Sequence, residues 1–165
     1  MPIRMKVFGL TIDPLTNSPI LILKDLEGDK TIPVWIGLLE ATAIASELEK
    51  IKFSRPMTHD LMKNLMDQLG IKLAKVEICD LRDNTFFALM YLILKDKEFT
   101  MDARPSDAIA LALRAEAPIY VDEAVIQKSK DVDMGAKEEI QSAEGKKWTE
   151  ILESLSPDEF GKYKM

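Results

Sequence analysis

An internal similarity at a spacing of 67 residues constrains this chain more than any other feature, because two like segments are expected to fold as two like units. Without gaps, Asp29-Lys30 falls on Asp96-Lys97, Val34 on Met101, Glu40-Ala41 on Asp107-Ala108, and Ala43-Ile44-Ala45 on Ala110-Leu111-Ala112. The flanks agree in type. Each copy offers three apolar strands followed by an Ala-rich helix: Lys6 to Asp13, Pro19 to Lys24 and Thr31 to Ile36 in the first, and Leu73 to Leu81, Phe86 to Leu94 and Lys97 to Asp102 in the second. Turn residues stand between them: Asp13-Pro14, Asn17-Ser18-Pro19, Glu27-Gly28-Asp29 and Arg82-Asp83-Asn84. The expectation is an α+β fold in which two duplicated β-β-β-α units share one curved mixed sheet, with an inserted helix and a C-terminal helix added.

Spacing places the helices. Leu38, Ala41, Ile44, Ala45, Leu48 and Ile51 recur at three and four residues and predict a buried stripe on the first repeat helix. Ala108, Leu111, Ala112 and Ala115 predict a small-residue face that lets the second lie close to the sheet, ending at Ala117-Pro118 before a short strand, Ile119 to Val121. Between the copies, Thr58 is the expected N-cap of an amphipathic helix with Leu61, Met62, Leu65, Met66 and Leu69 on its apolar face and Gly70 at its end. Arg104-Pro105-Ser106-Asp107 repeats the grammar of Arg55-Pro56-Met57-Thr58-His59-Asp60, with Arg-Pro, a hydroxyl and an acid in the first turn.

Charge separates body from tail. The chain of 165 residues has a net charge of −6, but residues 1–121 hold 17 acids and 15 bases whereas residues 122–165 hold 11 and 7. Two segments are therefore expected: a body at 1–126, with repeats at about 6–52 and 71–117, and an acidic linker with a C-terminal amphipathic helix at 127–165. In that helix Trp148, Ile151, Leu152 and Leu155 recur as i, i+3, i+4, i+7. Unprotected sheet edges and this helix make a homodimer the expected assembly. One Cys and one His exclude an internal disulfide and any zinc site built from Cys and His alone. No apolar run reaches the roughly 18 residues of a membrane span, so a cytoplasmic protein without membrane contact is expected.

The candidate chemistry lies at the helix starts. Histidine is the side chain whose unperturbed pKa suits proton transfer near neutrality, and His59 is the only one. Arg55 and Arg104 beside helix N-termini suit phosphate, and the carboxylates of Glu40, Asp60, Asp102 and Asp107 suit a divalent cation that bridges to it. The same residues could instead serve only as helix-start and ion-pair chemistry. Cys79 reads as a small strand side chain, and Trp35 and Trp148 as packing residues rather than base-stacking platforms. Nucleotide-binding glycine loops, the zinc-protease helix motif and the hydrolase nucleophile elbow are absent.

Three ordered blocks carry a resemblance: Ile36-Gly37-Leu38-Leu39-Glu40-Ala41-Thr42-Ala43-Ile44-Ala45, Arg55-Pro56-Met57-Thr58-His59-Asp60-Leu61, and Asp102-Ala103-Arg104-Pro105-Ser106-Asp107-Ala108-Ile109-Ala110-Leu111-Ala112. Over roughly residues 5–130 the chain resembles the bifunctional nuclease domain family, and its ending, Pro157 to Lys164, is similar to the tails of bacterial members. The resemblance implies an α+β fold with a duplicated β-α unit and nuclease activity on DNA and RNA. It delivers no catalytic set. From residue chemistry, His59 is the expected acid or base, Arg55 and Arg104 the phosphate clamps, and Glu40, Asp60, Asp102 and Asp107 the ligands of Mg2+ or Mn2+, with no organic cofactor. Without a broad basic surface, nucleic acid should bind weakly and with little sequence discrimination. The contrasting expectation is a non-enzymatic regulatory or interaction module.

Overall fold

The alternating runs form strands where the pattern predicts them. The computed structural model describes residues 1–132, and its elements run β1 (Pro2–Ile12), β2 (Pro19–Asp25), β3 (Thr31–Trp35), α1 (Leu38–Leu48), α2 (Thr58–Leu69), β4 (Lys72–Arg82), β5 (Thr85–Leu94), β6 (Lys97–Ala103), α3 (Pro105–Ala115), β7 (Ile119–Asp122) and α4 (Glu123–Val132). The class is α+β. The seven strands form one sheet in the order β3-β2-β1-β7-β4-β5-β6. Two antiparallel meanders, β1-β2-β3 and β4-β5-β6, thus flank β7, which pairs antiparallel to β1 and parallel to β4 and makes the sheet mixed.

Local chemistry explains the turns and the curvature. Asp83 and Asn84 both take positive φ, as do Lys95 and Asp96, so the β4-β5 and β5-β6 hairpins close on two-residue turns whose twist matches the strands. Register shifts between Val7 and Gly9, Leu73 and Lys75, and Ile78 and Asp80 add unpaired residues that bend the long strands. The sheet curls enough for β3, at one edge, and the β4-β5 turn to line the same cavity.

The core lies between the sheet and the helices. Leu21, Leu23, Ile32, Val76 and Ile78 from the strands meet Ala41 and Ile44 of α1 and Ala108, Ile109 and Leu111 of α3, all buried. The run of alanines on α3 keeps that helix close to β4 and β5, as expected, and α3 also touches both α1 and α2. It ends with Glu116 in the left-handed conformation and the Ala117 amide donating back to Ala112, just before Pro118.

Three expectations change. On α1 only the middle of the predicted stripe is buried, since Leu38 and Leu48 are exposed. On α2 no residue is fully buried: Leu61, Met62, Leu65 and Leu69 face outward, while His59, Asp60, Lys63 and Met66 are half-buried. The hydrogen bond from His59 to Asp107 and the ion pair from Asp60 to Arg114, both on α3, set the rotation of α2, and they override its apolar periodicity. The expected boundary after residue 126 falls inside α4, whose Val125, Ile126 and Ser129 are buried. The expected C-terminal helix lies outside the described residues. No described helix is long and apolar enough to cross a membrane.

Candidate active site

Three helix ends converge because each carries a charged group that finds its partner on another helix. At the start of α3, Arg104 is the N-cap, Pro105 follows at the first helical position, and Asp107 stands in the first turn. Ser106, expected as the hydroxyl cap, is instead one residue inside the helix and buried. At the start of α2 the cap is Met57 rather than Thr58, and the Met57 amide donates to Asp60 Oδ2 at 3.0 Å, the acid-to-backbone half of a capping box.

Two arginine-centred clusters result. In the outer one, Arg104 donates through Nη1 to Glu40 Oε1 at 2.8 Å and through Nε to Asp107 Oδ2 at 2.9 Å, so one guanidinium bridges α1 and α3. Asp107 Oδ1 lies 2.9 Å from His59 Nε2. An ionised carboxylate can only accept, so the Nε2 nitrogen carries the proton and the lone pair of the neutral ring sits on Nδ1. In the inner cluster Arg114 donates through Nε to Asp60 Oδ1 at 2.7 Å, through Nη1 to the Ala110 carbonyl at 3.0 Å and through Nη2 to the Ala43 carbonyl at 3.1 Å. It ties α2, α3 and α1 together.

Electrostatics follow from these contacts. Partial burial pushes the Asp107 carboxyl up, but hydrogen bonds from Arg104 and His59 outweigh it and hold the group below the usual carboxylate range. Burial likewise opposes ionisation of Asp60, and the Arg114 guanidinium with the Met57 amide prevails and lowers its pKa. The two carboxylates that Arg104 receives, Asp107 first and Glu40 second, raise its own pKa. Asp60 and Asp107 are therefore ionised at neutral pH. By formal charge, Glu40, Asp107 and Arg104 sum to one negative charge.

The expected residues divide cleanly. Glu40, His59, Arg104 and Asp107 form one connected network, with Asp60 beside His59 but committed to Arg114. Arg55 is exposed and outside the network, and Asp102 is exposed on β6, opposite Leu89. The four proposed metal ligands are not brought together. Among the described residues no three His, Cys, Asp or Glu side chains gather as a metal site, because Glu40 and Asp107 each spend an oxygen on Arg104 and Asp60 spends one on Arg114. As they stand, these donors do not fit a divalent cation.

Arg114 was missed by the motif reading. Its signal is spacing: it stands seven residues after Asp107, two helical turns along the same face of α3, and so belongs with the charged side of that helix. Gly37 is the other such residue. A Cβ there would meet the Glu40 carboxylate, the far end of a flexible side chain, so the glycine leaves room for that group to reach Arg104, its φ of −77° being open to any residue.

Comparison with known proteins adds a lineage. Residues 21–133 match the bifunctional nuclease domain family. An uncharacterized protein of Mycobacterium tuberculosis strain H37Rv is 39% identical over 162 residues, which cover 95% of this chain and 97% of that protein. Bifunctional nuclease 2 of Oryza sativa subsp. japonica is 25% identical over 117 residues, 68% of this chain and 36% of the rice protein. Bifunctional nuclease 2 of Arabidopsis thaliana is 27% identical over 105 residues, 61% of this chain and 32% of the plant protein.

Proposed function

The chain belongs to the bifunctional nuclease domain family, and from that premise we propose that it hydrolyses phosphodiester bonds of DNA and RNA with little sequence preference, using the outer cluster. The observation that carries this reading is the His59–Asp107 pair at 2.9 Å, held in turn by Arg104. His59 Nδ1 accepts a proton as a water attacks phosphorus. The new P–O bond forms as the bond to the leaving oxygen breaks, and that oxygen takes a proton from solvent. Asp107 orients the ring and stabilises the imidazolium. Arg104, whose Nη2 lies outside its two acid pairs, faces the developing phosphate charge. No step is assigned to Mg2+ or Mn2+, because Glu40, Asp60 and Asp107 are engaged by arginines and Asp102 stands apart on β6. The local charge of the cluster predicts weak binding of nucleic acid.

A second reading rests on the outward stripe of Leu61, Leu65 and Leu69 on α2, which favours a protein partner, a second copy of the chain included. Cleavage of plasmid DNA and single-stranded RNA by identically purified wild type and His59→Ala, each with Mg2+, with Mn2+ and with chelator, separates the two. The nuclease reading expects a loss of about 10²-fold or more in folded His59→Ala. Full activity in that variant would remove the proposed base, and no activity in any wild-type preparation would favour the partner reading.

A further inference from the structure

Beside the outer cluster lies a cavity of about 370 Å³, the size of a small-ligand site. Its walls differ in character from one end to the other. Val34, Trp35, Ile36 and Phe86 supply apolar and aromatic surface. Asn84, Thr85 and Ser106 supply side chains that both donate and accept hydrogen bonds. Arg104 is the only charged residue of the lining among the described residues, and it stands where α3 begins, so the charged end of the cavity is also the edge of the His59–Asp107 pair.

Trp35 is built for a role beyond packing. It is 38% exposed on an edge strand, and its Nε1 donates to Asp13 Oδ2 at 3.2 Å, which fixes the indole while leaving part of it open. A second cavity of about 340 Å³ shares Trp35, Asn84 and Phe86 with the first, so this aromatic surface is reached from two sides. A ligand matched to these walls has a flat aromatic body, polar edges and a negative group at one end. That is a nucleotide unit whose base has left its stack.

We propose that this cavity is a base-binding subsite that takes one unpaired nucleobase against Trp35 and Phe86 and delivers the adjoining phosphate to Arg104. The subsite rests on the nuclease reading above and names its substrate class: single-stranded nucleic acid, or duplex opened at the site. A base that is paired and stacked cannot enter the cavity. Selection comes from stacking and steric access, so it tolerates any base.

The test measures binding, which keeps it separate from catalysis. Fluorescence polarisation is read for single-stranded and duplex oligonucleotides of DNA and of RNA, phosphorothioate-linked against cleavage, on the full chain, on Trp35→Leu and on Trp35→Phe. The expected result is single strands bound about 10-fold more tightly than duplexes, about 10-fold lost in Trp35→Leu for single strands alone, and most of it restored in Trp35→Phe. In Trp148→Phe protein, the single strand should also quench the fluorescence of Trp35, a readout that changes none of the described lining residues. Equal affinity for single strand and duplex, or an unquenched Trp35, would overturn the subsite. If single strands bind through Trp35 but wild type never cuts them, the subsite stands and the nuclease reading falls. If wild type cuts but binds both forms alike, only the subsite falls.

The two DNA and RNA arms decide the sugar. Equal affinity for both points to recognition through base and phosphate alone, as the lining predicts.

Discussion

The two arginine clusters use the same residue types for opposite ends. Arg114 is 5% exposed and gives its donors to one carboxylate and two backbone carbonyls on three helices. Arg104 is 65% exposed and gives its donors to two carboxylates, one of which holds a histidine. Burial makes the inner cluster a joint, where an unpaired charge is costly and the geometry is fixed. Exposure of the Arg104 guanidinium makes its pairs weak as a brace, since water screens them, and leaves that group reachable, with Glu40, Asp107 and His59 half-buried behind it. Under the proposed function, neighbouring clusters with one vocabulary divide support from chemistry.

The largest effect that could break this division is on stability. Arg114→Met should lower the free energy of unfolding by about 2 kcal/mol, because Asp60 loses its guanidinium partner and three helices lose their shared tie, whereas Arg104→Met should cost under about 1 kcal/mol in the same urea titration. On cleavage the order should reverse: folded Arg104→Met should lose about 10²-fold in rate by losing a charged donor at the phosphate. Comparable stability losses in the two variants would erase the distinction.

Acid should reach the inner cluster through Asp60. Its folded pKa is lowered, so its contribution is present above the unfolded value of about 3.9 and is lost as pH falls through the folded one. The thermal midpoint of wild type should therefore exceed that of Asp60→Asn at neutral pH, and the gap should close below about pH 4. A gap that widens on acidification would reverse the sign assigned to the Asp60–Arg114 pair.

The smallest effect belongs to Gly37. In Gly37→Ala the new methyl displaces the Glu40 carboxylate, a flexible chain end, so stability should change by no more than about 0.5 kcal/mol. Cleavage should fall less than in Arg104→Met, because Arg104 keeps Asp107.

Much of this was legible in sequence, for reasons that particular residues make plain. The 67-residue spacing places Glu40 and Asp107 at equivalent positions, and the fold sets them on either side of Arg104, itself the residue that matches Gly37. Strand positions followed alternation and turn chemistry, which are local. The orientation of α2 was not legible, since Leu61, Leu65 and Leu69 argue locally for burial and only long-range pairs to Asp107 and Arg114 turn that face outward. Arg114 and the aromatic cavity escaped for the same reason: one needs three helices and the other needs β3 curled toward the β4-β5 turn before either exists.

The central claim, that the outer cluster carries the chemistry and not the fold, is tested most directly by Asp107→Asn. Its rate on single-stranded RNA and its thermal midpoint would be measured on one preparation beside wild type. The account predicts a rate lower by about 10²-fold or more with the midpoint within a few degrees, because His59 loses the carboxylate that fixes its proton on Nε2 while the helices stay joined through Arg114. An unchanged rate in folded Asp107→Asn would contradict it.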